Sequence, residues 1–131
     1  MKQGYRMALS KPRILVVEDE FIIGMDIKDM LEQIGYDVSG LVAPGEDAVK
    51  AAIDMDTDLV LMDILLRGDM DGIEAARQIT NRKNIPVIYI TACVDQITLR
   101  RVKKTRHSAF LVKPVEMKML HTTIREALAT V

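Results

Sequence analysis

Four apolar runs in this chain each stop at a polar residue that can do chemistry. The run 14–17 ends at Glu18 and Asp19, 59–62 at Asp63, 87–90 at Thr91 and 109–112 at Lys113. Runs this short and this rich in β-branched residues read as strands buried on both faces of a parallel sheet. Ligands of such sheets lie just beyond the carboxyl ends of the strands. A single sheet would therefore gather three carboxylates, a hydroxyl and an ammonium on one rim. Neighbouring acids offer hard oxygens to a divalent cation such as Mg2+, which keeps several waters and shares phosphate oxygens. A carboxylate such as Asp63 can attack phosphorus and form an acyl phosphate. Lys113 brings a point charge for a phosphate oxygen, and Thr91 a hydroxyl donor. Each residue also has a purely structural reading. Asp63 could cap the next element, and Glu18, Asp19 and Glu20 could be acids favoured at a helix N-terminus. That reading suits Glu20. It suits Glu18 and Asp19 less, because they follow a buried strand directly and a carboxylate there is desolvated at a cost.

The elements that must position these residues alternate along the chain. Residues 13–17 form the first strand. A helix follows from Glu20 to about Gln33, with Ile23, Ile27, Met30, Leu31 and Ile34 on one face, and Gly35 ends it. The less apolar run 36–42 is an edge strand. Pro44 and Gly45 open a second helix that reaches about Ile53. Residues 58–62 form the third strand and 67–70 a loop. Asp71 with Glu74 three residues on resembles a capping box and starts a helix to about Thr80. The fourth strand spans 87–90, the fourth helix roughly 95–104, and the fifth strand 109–112. Pro114 opens a last helix with Met117, Leu120, Ile124 and Leu128 on one side. Five βα units with short, right-handed connections give an α/β, doubly wound parallel sheet with helices on both faces.

The chain is 131 residues long, which fits one domain able to bury its own core. Its 49% hydrophobic and 28% charged residues are ordinary for a globular domain. A net charge of −1 gives no global field toward nucleic acid or an anionic membrane, so neither is expected as a partner. Residues 1–12 read as a flexible N-terminal arm without the apolar stretch of a secretory signal, with Met7 as an alternative start. Residues 13–131 are then the folded unit. The lone Cys93 cannot form a disulfide within the chain, and a reducing cytoplasm is the expected location.

Together these pieces resemble the receiver domain of two-component response regulators, of the stand-alone, chemotaxis-regulator-like kind. The carriers are Ile-Leu-Val-Val-Glu-Asp-Glu at 14–20, Leu-Val-Leu-Met-Asp-Ile at 59–64, Asp-Gly-Ile-Glu at 71–74, Val-Ile-Tyr-Ile-Thr-Ala at 87–92 and Phe-Leu-Val-Lys-Pro at 110–114. Each is weak alone, but five in order and at matching spacing are specific, and they cover about 13–128. The resemblance implies a flavodoxin-like sheet of order 2-1-3-4-5. It implies that Asp63 accepts a phosphoryl group from a histidine kinase or histidine phosphotransfer protein. Asp19, Asp63 and the backbone carbonyl of Leu65 would ligate Mg2+, with Mn2+ as the alternative ion and Glu18 acting through water. Lys113 would contact the phosphoryl group, Thr91 would move to it and Phe110 would swing inward as a switch. The fourth helix, fifth strand and last helix would present the changed face to a downstream protein or a second copy.

Three departures accompany the match. The first acid is Glu18, Phe110 lacks the hydroxyl of the usual Tyr, and Thr105-Arg106-His107-Ser108 replaces a Gly-Ala-rich turn. Leu65 and Cys93 occupy the two positions that flank the phosphoryl group in receivers. Both are apolar, which predicts slow self-dephosphorylation. The chain is thus no conventional enzyme, but it would catalyse its own phosphotransfer.

Other signals carry less. Asp54, Asp56 and Asp58 hint at a calcium loop, but Leu59 and Leu65 stand where an EF-hand needs Gly and Glu. The glycines form no nucleotide loop. His107 and His121 lack zinc-spaced partners and are expected at the surface. Arg100, Arg101, Lys103, Lys104 and Arg106 make a basic stripe, read as a solvated face or a docking surface. Two alternatives to a phosphorylated switch stand beside it: a receiver-shaped interaction module that never turns over phosphate, and a receiver cut from a longer regulator or hybrid kinase. Only three residues follow Leu128, so no output domain is expected within this sequence.

Overall fold

Each run is apolar throughout, and because a strand sends successive side chains to opposite sheet faces, both faces of the sheet are apolar. The computed structural model describes residues 11–42, 45–92, 95–107 and 109–129, with the backbone alone at 45 and 46. Cys93, Pro44, Ser108 and residues 1–10 of the expected arm lie outside these. The elements are β1 (Arg13–Val17), α1 (Phe21–Gln33), β2 (Asp37–Val42), α2 (Gly45–Asp54), β3 (Leu59–Asp63), α3 (Gly72–Arg82), β4 (Val87–Thr91), α4 (Gln96–Lys103), β5 (Ala109–Val112) and α5 (Met117–Ala129). The five strands form one parallel sheet in the order β2-β1-β3-β4-β5.

The alternation builds two apolar layers. Leu15, Val17, Val60, Met62 and Tyr89 face α2 and α3, together with Val102 of α4. Ile14, Val16, Leu59, Leu61, Ile88 and Ile90 face Ile27 and Leu31 of α1 and Leu120 and Ile124 of α5. Burying one such aliphatic side chain contributes roughly 1.5–3 kcal/mol, so these layers hold the strand ends in place. β2 is an edge, as its lower apolarity predicts, and β5 is the other. β2 carries an irregularity opposite Ile14 and Leu15, and there Ser39 turns inward to the Thr57 hydroxyl at 2.9 Å.

Local signals set the joints. Gly35, at φ 98°, closes α1 while the Gly35 and Tyr36 N–H groups donate to the Glu32 and Leu31 carbonyls, a Schellman motif. Asp71 caps α3 by accepting the Glu74 N–H at 3.0 Å. The capping box is only half formed, because the Glu74 carboxylate turns to Arg77 and Gln78. Pro114 does not open the last helix. Lys113 N–H still donates to the Thr91 carbonyl, the Lys113–Pro114 peptide is cis, and α5 begins at Met117, which is 38% exposed rather than core. Pro12, placed by sequence in the arm, already accepts the Asp37 N–H at 3.0 Å. Among the described residues no helix is long and apolar enough to cross a membrane.

Candidate functional site

Parallel pairing brings the polar strand ends to one rim. Val17 pairs with Met62, Asp63 with Ile90 and Thr91 with Val112. The ladder continues one residue past β1 and β5, since Glu18 N–H donates to Val42 and Lys113 N–H to Thr91. The main chains of Glu18, Asp63, Thr91 and Lys113 are therefore all tied into the ladder.

Three of them touch. Lys113 Nζ lies 2.5 Å from Glu18 Oε1 and 3.1 Å from Asp63 Oδ2. Glu18 and Asp63 are only 4% and 3% exposed. Glu18 Oε2 also accepts the Glu20 N–H, and Asp63 Oδ1 accepts the Leu65 N–H at 3.2 Å. Asp19, next to this group, uses Oδ2 to accept the Arg67 N–H of the β3–α3 connection. Thr91 is fully buried at the end of β4, and Phe110 is half-buried one strand further, opposite Tyr89. Leu65 is 59% exposed and stands at the mouth.

Two buried carboxylates share one ammonium, and a third acid borders them. Burial is the main cause that pushes the Asp63 carboxyl up to about 7, the Glu18 carboxylate adds to it, and Lys113 opposes both. Burial also works against the Lys113 ammonium. Its hydrogen bonds to Glu18 and Asp63 outweigh that, and its pKa is raised. The pocket thus carries more acid than its lysine can balance. Among the described residues no three His, Cys, Asp or Glu side chains form a metal cage by themselves. Hard carboxylate oxygens in surplus instead fit an ion that completes its shell with water and phosphate oxygens, as Mg2+ does.

Some site neighbours were invisible to sequence. The Arg67 N–H on Asp19 is a main-chain donor and has no side-chain signature. Arg101, expected in a basic stripe, reaches back to Asp71 instead, with Nη1–Oδ2 at 2.6 Å and Nη2–Oδ1 at 3.1 Å. The histidines, expected at the surface, are partly exposed there and make ring contacts. Each is half-buried beside a tyrosine, His107 against Tyr89 and His121 edge-on to Tyr36.

Comparisons with known proteins agree with this geometry. Residues 14–125 match the family described as the response regulator receiver domain. The transcriptional regulatory protein PdtaR of Mycobacterium tuberculosis is 34% identical over 117 residues, 89% of this chain and 57% of its own length. The chain spans about half the length of several curated relatives it matches. The signal receiver domain of a modulated diguanylate cyclase from Desulfovibrio desulfuricans superposes with a TM-score of 0.88 at 37% identity, covering 92% of this chain and 96% of that one. The receiver domain of the sensor histidine kinase PA1611 from Pseudomonas aeruginosa, which has a magnesium ion in its active-site cleft, gives a TM-score of 0.82 at 31% identity, covering 92% and 99%. A match that runs from β1 into α5, on the same doubly wound sheet, settles the membership: this chain belongs to the response regulator receiver domains of two-component signalling.

Proposed function

We propose that Asp63 of this receiver accepts a phosphoryl group from the phosphohistidine of a histidine kinase or histidine phosphotransfer protein. The observation that carries the reading is the buried Glu18–Lys113–Asp63 cluster with its surplus of acid. An Asp63 oxygen attacks phosphorus, the P–N bond breaks, and its electron pair leaves with the imidazole, which takes up a proton. The Leu65 N–H fixes one carboxylate oxygen, and Lys113 Nζ lies where an added phosphoryl oxygen can take over part of its contact with Asp63. Asp19, Asp63 and the Leu65 carbonyl would hold Mg2+, with Glu18 through water; Mn2+ meets the same preference for hard oxygens. When bound, the ion supplies positive charge between the carboxylates and the incoming anion.

The finer roles rest on the resemblance to receivers. The Thr91 hydroxyl and the Phe110 ring respond to the new charge and alter the face formed by α4, β5 and α5. Ile97, Val112, Met117 and Met119 are exposed there, together with Arg100 and Lys103, which suits a downstream protein or a second copy. Leu65 shields the acyl phosphate and slows its hydrolysis. Residues 13–131 act as the receiver unit. A pure interaction module is less well supported, because a scaffold gains nothing from two buried carboxylates on one lysine.

Incubation with acetyl phosphate and Mg2+ followed by intact-mass measurement tests this. A gain of one phosphoryl group is expected, lost with EDTA and lost in Asp63→Asn. No gain, or a gain that survives the substitution, rejects the reading.

A further inference from the structure

α4 is thinly seated. It has eight residues, and Val102 is its buried side chain among the described residues. α1, by contrast, buries Gly24, Ile27 and Leu31. Two polar ties supplement Val102. Thr105, just past α4, donates its hydroxyl to the Val102 carbonyl at 2.8 Å and pairs with the buried Tyr89 hydroxyl, also at 2.8 Å. The other tie is the two-pronged contact from Arg101 to Asp71, thirty residues away in sequence. A planar guanidinium gripping both oxygens fixes direction as well as distance, which a single-point contact does not.

The far end of that tie is unusual in what it rests on. Asp71 uses Oδ1 both for Arg101 and for the Glu74 N–H, so it is held rigidly at the start of α3. Burial works to raise its pKa, but Arg101 and the Glu74 N–H outweigh this and keep it ionised. Gly72, the next residue, donates its N–H to the Ile64 carbonyl. A Cβ on Gly72 would lie 1.9 Å from the Asp63 carbonyl oxygen and 2.9 Å from Ile64 Cα. The start of α3 is therefore pressed against the main chain of Asp63 itself, with no side chain between. The path runs from the Asp63 main chain through Gly72 and Asp71 to Arg101 on α4. It does not pass through Thr91 or Phe110.

We infer that Asp71 and Arg101 are positioning residues, through which the main chain of Asp63 sets the place of α4. The inference rests on Asp63 as the phosphoacceptor. A change in the Asp63 main chain then shifts the Gly72 ledge, and the Asp71–Arg101 grip carries that shift to a helix too lightly packed to resist it.

Amide NMR on the intact protein tests this, with hydrogen exchange and beryllofluoride as the phosphoryl mimic. Arg101→Gln is expected to raise exchange of the α4 amides about threefold or more in the unmodified protein. Arg101→Lys, which keeps the charge but not the fork, should fall between. With beryllofluoride and Mg2+, the Gly72 amide should shift in wild type and in Arg101→Gln alike, while the α4 shifts shrink by about half or more in the variant. Asp71→Asn keeps an N-cap and removes the charge, and its effect should not add to that of Arg101→Gln. Unchanged α4 exchange, additive effects, or full α4 shifts in Arg101→Gln would overturn the inference. A wild type that does not respond to beryllofluoride at all would instead reject the phosphoacceptor reading.

Discussion

The two ends of the sheet solve the same problem in opposite ways. At the amino ends of the strands, two polar contacts among the described residues are matched one to one. Arg13 N–H donates to Asp58 Oδ2 at 2.7 Å while Asp58 N–H donates to the Arg13 carbonyl at 2.8 Å. Ser39 and Thr57 share a buried hydroxyl pair. At the carboxyl ends, Glu18 and Asp63 are as deeply buried but share one lysine. Matched polar groups stabilise a fold, whereas a surplus of buried like charge destabilises it and stores a demand for a ligand. Function belongs to the end where the local rules are broken.

Removing Lys113 should widen the contrast most. Lys113→Met leaves two buried carboxylates without their ammonium, at an expected loss of about 3 kcal/mol at pH 8 in urea unfolding. The loss should shrink on acidification, as Asp63 takes a proton. The matched end should respond less. Ser39→Ala strands the Thr57 hydroxyl, at an expected loss of about 1 kcal/mol, and phosphoryl uptake should stay at the wild-type level. An uptake defect in Ser39→Ala would blur the distinction between the two ends. Smallest is the effect of opening the mouth. Leu65→Asn admits water beside the acyl phosphate and should shorten its lifetime about threefold, less than 1 kcal/mol of barrier. An unchanged half-life, read by loss of the phosphoryl mass, would mean that Leu65 does not shield the site.

Much of this contrast was legible in the residues. Strands β1 and β5 were bounded by sequence as they stand, and the α1 stripe of Ile27 and Leu31 was set by its 3.6 period. The meeting of Glu18, Asp63 and Lys113 could be foreseen because parallel strands must align their carboxyl ends. What escaped depended on neighbours far apart in sequence or on main-chain donors. Nothing local tells that Arg101 will leave the basic stripe for Asp71, or that the Arg67 N–H will hold Asp19. The start of α5 was missed because a proline after a strand looks like a first helical residue, while here Lys113 still pairs with β4. The ring contacts of the histidines have no local signal because their tyrosine partners lie on other elements.

The chemistry of the site turns on the cost of ionising Asp63 in its pocket, and one measurement reads that cost directly. Its carboxyl sits near 7 in the fold against an ordinary 3.8, so the folded chain holds a proton that the unfolded chain has already released. Stability from this group is therefore present at low pH and is lost as pH rises through about 7. Urea unfolding of wild type and Asp63→Asn should be compared at pH 5 and pH 8 in EDTA, then at pH 8 with Mg2+. Wild type should lose about 2–3 kcal/mol relative to the variant between the two pH values, and Mg2+ should restore stability in wild type alone. Parallel stabilities at both pH values, with Mg2+ acting on neither protein or on both equally, would contradict it.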